Sequence, residues 1–198
     1  MSTSFADIIS DVYALTNRPD LVGETAVAVK AATIKAHQSD DYIKDLFETA
    51  IQFSTSEYFQ ALDYKSVIPL WRKPRYLRIY DATGATPGSF LTYVEPEKVV
   101  DSFGANRTDI FYVAGAEVQI RTLAQQQYFL IGCYVNPDIT TTGYRSWIAD
   151  DHRYAIVYEA VATIFKTVGY DEQNAVYKAM VTEQIQLLKQ HAITGIGM

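Results

Sequence analysis

Almost every signature of catalytic or metal chemistry is missing from this chain, beginning with cysteine. Cys133 is alone and sits among Phe129, Leu130, Ile131, Tyr134 and Val135, so neither an internal disulfide nor a multi-cysteine zinc site can form. A buried, inert thiol is expected. Histidine is nearly as scarce. His37, His152 and His191 lie far apart without the i, i+4 partner of a helical zinc motif, and each reads as a surface or capping residue. Gly84, Gly88, Gly104 and Gly115 are isolated and precede no Gly-Lys-Ser/Thr, and no Gly-x-Ser-x-Gly elbow occurs. Asp150-Asp151-His152 is the most suggestive polar triple, yet three consecutive residues at a helix start cannot converge on one ion, and a helix cap accounts for them. Glu95 and Glu97 read as solvated loop acids, not as an acid and base pair. The sequence therefore predicts no catalytic residue, no cofactor and no metal.

Long apolar runs are also lacking: none approaches the length of a membrane span, and the opening residues lack the basic and then apolar layout of a signal peptide. The expectation is a chain made in the cytoplasm and not bound to a membrane. Basic charge is in deficit, with a net −6 and a pI near 5.0. The longest basic cluster, Arg72-Lys73-Pro74-Arg75, is short and has apolar flanks, so the footprint of a nucleic-acid binder is missing.

What the chain does hold is a core's worth of apolar residues. At 198 residues with 48% hydrophobic and 20% charged, it has the means for one domain and no compositional reason to be disordered. Tyrosine is plentiful, 15 residues, a type shared by cores and interfaces.

Ser4 and Asp7 make a capping-box-like start, and Phe5, Ile8, Ile9 and Val12 recur at helical spacing, which predicts a first helix from about Phe5 to Thr16, stopped before Pro19. A second helix is expected from Leu21 or Glu24 to Gln38, with Val22, Ala26, Val29, Thr33 and Ala36 on one stripe. Ser39-Asp40-Asp41 followed by Ile43, Leu46, Phe47, Ala50 and Ile51 predicts a third. After Ser54 the texture turns to prolines and alternating β-branched and aromatic residues. Arg75, Leu77 and Ile79 alternate with Tyr76, Arg78 and Tyr80 as one strand. Ile110–Ala114 and Glu117–Thr122 flank Ala114-Gly115-Ala116 as a hairpin. Gln125-Gln126-Gln127 is read as a turn into a buried strand, Tyr128–Val135, completing a small antiparallel meander.

A helix is then expected from Asp150 or Asp151, ending near Gly169, followed by a last helix capped by Asp171. In that last helix Val176, Met180, Glu183 and Leu187 follow one stripe, and Val181, Ile185 and Leu188 another. The fold class predicted is α+β, mainly α: a bundle of N- and C-terminal helices with an inserted small antiparallel sheet. As a single domain it divides into N-terminal helices at 1–54, a β-rich insertion at 55–145, C-terminal helices at 146–190 and a tail at 191–198. That tail carries Ile193, Ile196 and Met198, and apolar residues at a terminus usually find a partner.

Several stretches resemble the head-to-tail adaptor (connector) family of short-tailed bacteriophages. They are Ile8-Ile9-Ser10-Asp11-Val12-Tyr13-Ala14-Leu15-Thr16-Asn17-Arg18-Pro19-Asp20-Leu21-Val22, Glu24-Thr25, Ala31-Ala32-Thr33 to His37, Phe111-Tyr112-Val113-Ala114-Gly115, Tyr134-Val135-Asn136-Pro137 and Tyr144-Arg145-Ser146-Trp147-Ile148. The resemblance implies a structural, non-enzymatic virion protein, a homo-oligomer assembled as a twelve-subunit ring in the neck between head and tail. It implies docking on the portal protein through the C-terminal helix and tail, here Leu187, Leu188, Gln190, His191, Ile193, Ile196 and Met198. The opposite side would meet the tail nozzle or other tail proteins, with DNA passing through the channel unbound. Three alternatives remain at this stage. They are a neck or tail-completion protein of a long-tailed phage, a small enzyme or ligand-binding α+β domain with tyrosines and Arg72, Lys73 and Arg75 in a pocket, and a DNA-binding packaging protein, which the charge disfavours.

Overall fold

The computed structural model of the protein describes residues 2–80, 86–100 and 105–194, with side chains through residue 191. The chain divides into two compact units, one from residues 1–45 and 136–198 and one from 46–135. Each has its own hydrophobic cluster, where the sequence predicts a single core.

The first unit is helical. Helix α1 (Phe5–Thr16) begins with the expected capping box: the Asp7 amide donates to Ser4 Oγ at 3.2 Å and the Ser4 amide to the Asp7 carboxylate at 2.9 Å. It ends on Asn17, at φ 51°, two residues before Pro19. Helix α2 (Val22–His37) buries Thr25, Ala28, Val29, Ala32, Thr33, Ala36 and His37. Across the second unit's sequence, α4 (Trp147–Asp151) is capped by Ser146, α5 (Arg153–Thr167) is buried over most of its surface, and α6 is Asp171–Thr194. Gly169, at φ 81°, closes α5 in the left-handed conformation that glycine adopts without penalty, and the Tyr170 amide reaches back to the Phe165 carbonyl at 2.8 Å. Phe5, Ile8, Val12, Val29, Ile148, Ile156, Ile164 and Leu188 form the centre.

The second unit overturns the expected mainly-α class. The protein is 44% helical and 35% strand, and its sheet is a closed four-stranded barrel with a fifth strand added. Strand β1 (Leu46–Asp63) runs antiparallel along β5 (Glu117–Val135). A short helix, α3 (Tyr64–Val67), leads to β2 (Trp71–Tyr80), and β3 (Pro87–Tyr93) and β4 (Ile110–Ala114) follow. The order is β1-β5-β2-β3-β4, with β4 returning to pair with β5. One half of β5, from Phe129 to Val135, serves β2, and the other, from Glu117 to Arg121, serves β4. This double use closes the ring β5-β2-β3-β4 and leaves few open edges. The β3–β4 pairing is parallel, so the sheet is not a simple meander.

Two local readings are corrected. The segment expected as a third helix is a single 3-10 turn, Ile43–Asp45, followed by β1. Its apolar residues fit both periods. Thr49, Ile51 and Phe53 also alternate, and β1 continues through a run rich in β-branched and aromatic residues. Gln125-Gln126-Gln127 is no turn: β5 is continuous through it. The hairpin at Gly115 is as predicted, with Gly115 at φ 64°.

Candidate functional site

The most reactive-looking constellation lies in the helical unit. His37 Nδ1 is 2.8 Å from Asp45 Oδ1 and His37 Nε2 is 2.9 Å from Ser146 Oγ, the connectivity of a Ser-His-Asp triad. With the proton on Nδ1, His37 donates to Asp45 and accepts from the Ser146 hydroxyl. The Trp147 indole also donates to Asp45, at 2.7 Å, and Ser146 Oγ accepts the Ala149 amide at 3.1 Å as the cap of α4. All three side chains are buried. A nucleophile must meet its substrate, and this hydroxyl is enclosed and engaged in capping. The arrangement is a polar clip joining the end of α2 to the start of α4. His37, read from sequence as a surface or capping residue, is part of the core.

Glu159 is the other buried charge. Its Oε1 accepts from Lys35 and Lys178, each at 2.7 Å. Burial pushes its carboxyl up, but the hydrogen bonds from Lys178 and Lys35 outweigh that and hold it below the usual glutamate range. Ala32, Ala36, Ala155 and Glu159 border a cavity of about 150 Å³, well under the size of a cofactor site. Among the described residues no group of three His, Cys, Asp or Glu is placed to hold a metal. Cys133 is buried, and burial pushes its thiol up to about 11, which leaves it unreactive.

The surfaces are more telling. In the β unit, Ala50, Leu130, Arg78 and Phe90 are direct cross-strand partners on β1, β5, β2 and β3 and so share one face. Gln52 and Tyr128 lie on one side of this row, and Glu48, Gly132 and Tyr76 on the other. The alternate positions, Ile51, Phe129, Leu77, Ile131 and Leu91, fill the barrel core. The outer face therefore sets Phe90, Leu130, Tyr76 and Tyr128 among Arg78, Gln52 and Glu48, more apolar than a solvated sheet face normally is. Its side chains support one another. The Arg78 guanidinium lies 4.6 Å from the centre of the Phe90 ring and donates to the Gly88 carbonyl at 2.8 Å. Tyr76 meets Phe90 edge-on at 5.6 Å and lies over Gly132. Phe90 is left 58% exposed.

The second surface is on α6. Glu172, Val176, Met180, Glu183 and Leu187 follow one face at helical spacing. Val176 is 54% exposed, and Met180 and Leu187 are each 38% exposed. The stripe predicted as the partner of Val181, Ile185 and Leu188 is thus open, while Val181 and Leu188 enter the core. Lys178 and Lys189 turn to Glu159 and Asp40.

Of the residues expected to dock on a portal, Leu187 belongs to this open stripe, and Gln190 and His191 are exposed. Leu188 is fully buried and unavailable to a partner. The His191 ring lies 5.0 Å from that of His152. Helix α6 includes Ile193, whose side chain lies outside the described residues, as do Ile196 and Met198. Arg72 and Lys73 stand over the Tyr134 ring at 5.2 and 5.7 Å, and Arg75 is exposed. Sequence reasoning missed the outer sheet face. The signal is present in Tyr128–Val135, whose apolar residues on both faces fit an exposed apolar face as well as complete burial.

Fold and surfaces together define a two-unit α+β protein with a closed barrel and two different apolar faces. The chain matches no model of a known protein family, and no curated protein matches it.

Proposed function

We propose that this protein is a structural, non-enzymatic head-to-tail adaptor of a short-tailed phage, a subunit of a ring that docks on the portal and links it to the tail nozzle. In this reading twelve copies surround a channel through which DNA passes, and the ring occupies the virion neck after assembly from the host cytoplasm. The observation that carries it is the open apolar stripe of α6, Val176, Met180 and Leu187, on a helix whose other face is committed to the core. Three exposed apolar residues in register on one helix are a recognition feature, since scattered ones need no explanation but aligned ones do. A ring subunit also needs two unlike faces, one for each neighbour, and the sheet face around Phe90 is a second one. The net −6 charge supports a wall along which DNA slides without being held.

The test is to mix the purified protein with the portal encoded beside it and inspect the product by negative-stain microscopy, with a chain lacking Ile193–Met198 in parallel. Rings that form on the portal and are lost with the truncation are the expected result. No association by either chain would refute the docking role and return weight to a tail-completion protein of a long-tailed phage.

A further inference from the structure

We infer that the two open faces are made for one another: the acidic, apolar stripe of α6 on one copy docks on the basic, aromatic outer sheet face of a second copy. The inference rests on reading the chain as a ring subunit and gives the α6 stripe to the lateral contact, which leaves the chain's last residues, from Gln190 onward, to meet the portal. The occupant follows from charge. The pairing of β2 with β5 puts Lys73 opposite Tyr134 and Arg78 opposite Leu130, so both bases stand on the outer face, and β2 carries no acid. The α6 stripe carries Glu172 and Glu183 and no Lys or Arg, and the lysines of the helix's other faces, Lys178 and Lys189, are tied to acids of their own unit.

The apolar parts match as well. Val176, Met180 and Leu187 offer flexible aliphatic groups, and Phe90, Tyr76, Tyr128 and Leu130 offer the rings and branched surface that such groups pack against, methionine best of all. Glu48 is the acid in these rows; it stands in the row next to Arg78's and on the opposite side of β5. The two faces differ, so the contact is heterologous and leaves one of each free on every dimer. Such a contact propagates until it closes, which gives a ring or a filament and never a sealed pair.

Charge reversal tests the pairing. The Glu172→Lys/Glu183→Lys variant changes only exposed helix positions, and Lys73→Glu/Arg78→Glu changes the sheet side. Sedimentation velocity over a wide concentration range at low salt should show wild type associating beyond a dimer. Each double variant should dissociate about tenfold more readily or worse. An equimolar mixture of the two variants should regain association, because each reversed face then meets its complement. Unchanged association of the helix variant, or no concentration-dependent association of wild type, overturns the inference. Should the sheet variant misfold, as circular dichroism would reveal, Met180→Asp on the exposed helix stripe combined with the helix variant decides alone. The variants are also tested for portal binding. Portal binding without self-association refutes this contact and spares the adaptor reading, while self-association without portal binding does the reverse.

Discussion

Replacing His37 by alanine removes the middle of the hydrogen-bonded line from Asp45 to Ser146 and leaves two buried polar groups facing a void. The cost is about 2–4 kcal/mol, read from the chemical-denaturation midpoint. A loss below about 1 kcal/mol would mean that water reaches this site and the clip is not sealed. Glu159 behaves differently with pH. Its folded carboxyl titrates below its ordinary value of 4.5, so its contribution is complete above that value and fades as pH falls through the folded one. Glu159→Gln should therefore be less stable than wild type at neutral pH, and the gap should narrow once the medium is acid enough to protonate the wild-type carboxyl. Thermal unfolding of both proteins across that range checks the sign; a gap that stays constant with pH would contradict it.

Among the elements, β5 does the most. Its 19 residues pair with β1, β2 and β4, and Gly132 lets the Tyr76 ring lie close over it. A Cβ at position 132 would come within 2.5 Å of that ring. Gly132→Ala should therefore displace Tyr76 and cost about 1–3 kcal/mol, seen both in the denaturation midpoint and in the loss of ring-current shifts between Tyr76 and Phe90. Unaltered shifts would show that the ring does not lie there. The same strand shows where sequence reading succeeds and fails. Helix α1 is legible because cap, period and proline stop agree within sixteen residues. The hairpin at Gly115 is legible because its turn is local. The continuity of β5 through three glutamines is not, since it depends on strand β1, whose partner residues lie more than sixty positions earlier. Leu46, Phe47, Ala50 and Ile51 fit a helix until tertiary pairing selects the strand. The α6 stripe could be named from spacing, but only packing shows which of its two stripes is open. The outer sheet face needed the register of four strands.

At the scale of the molecule, charge is divided unevenly. The helical unit holds nine Lys and Arg against fourteen Asp and Glu, and the β unit eight against nine, so the acidity of the chain belongs almost wholly to its helices. A head-to-tail contact between an acidic helix and a basic strand uses this division, and it weakens as salt screens it. Sequence composition gives only the sum.

The helical core draws Phe5, Ile8, Val12 and Val29 from the start of the chain and Ile148, Ile156, Ile164 and Leu188 from its end, while residues 46–135 close their barrel without either. On the ribosome the first two helices therefore emerge without the partners that complete their core. At a translation speed of about 5–20 residues per second, they wait roughly 8–30 s for the last of those partners. The barrel is complete before the helices that precede it can be, and until the last helix is synthesised the apolar faces of α1 and α2 are left for a chaperone to shield.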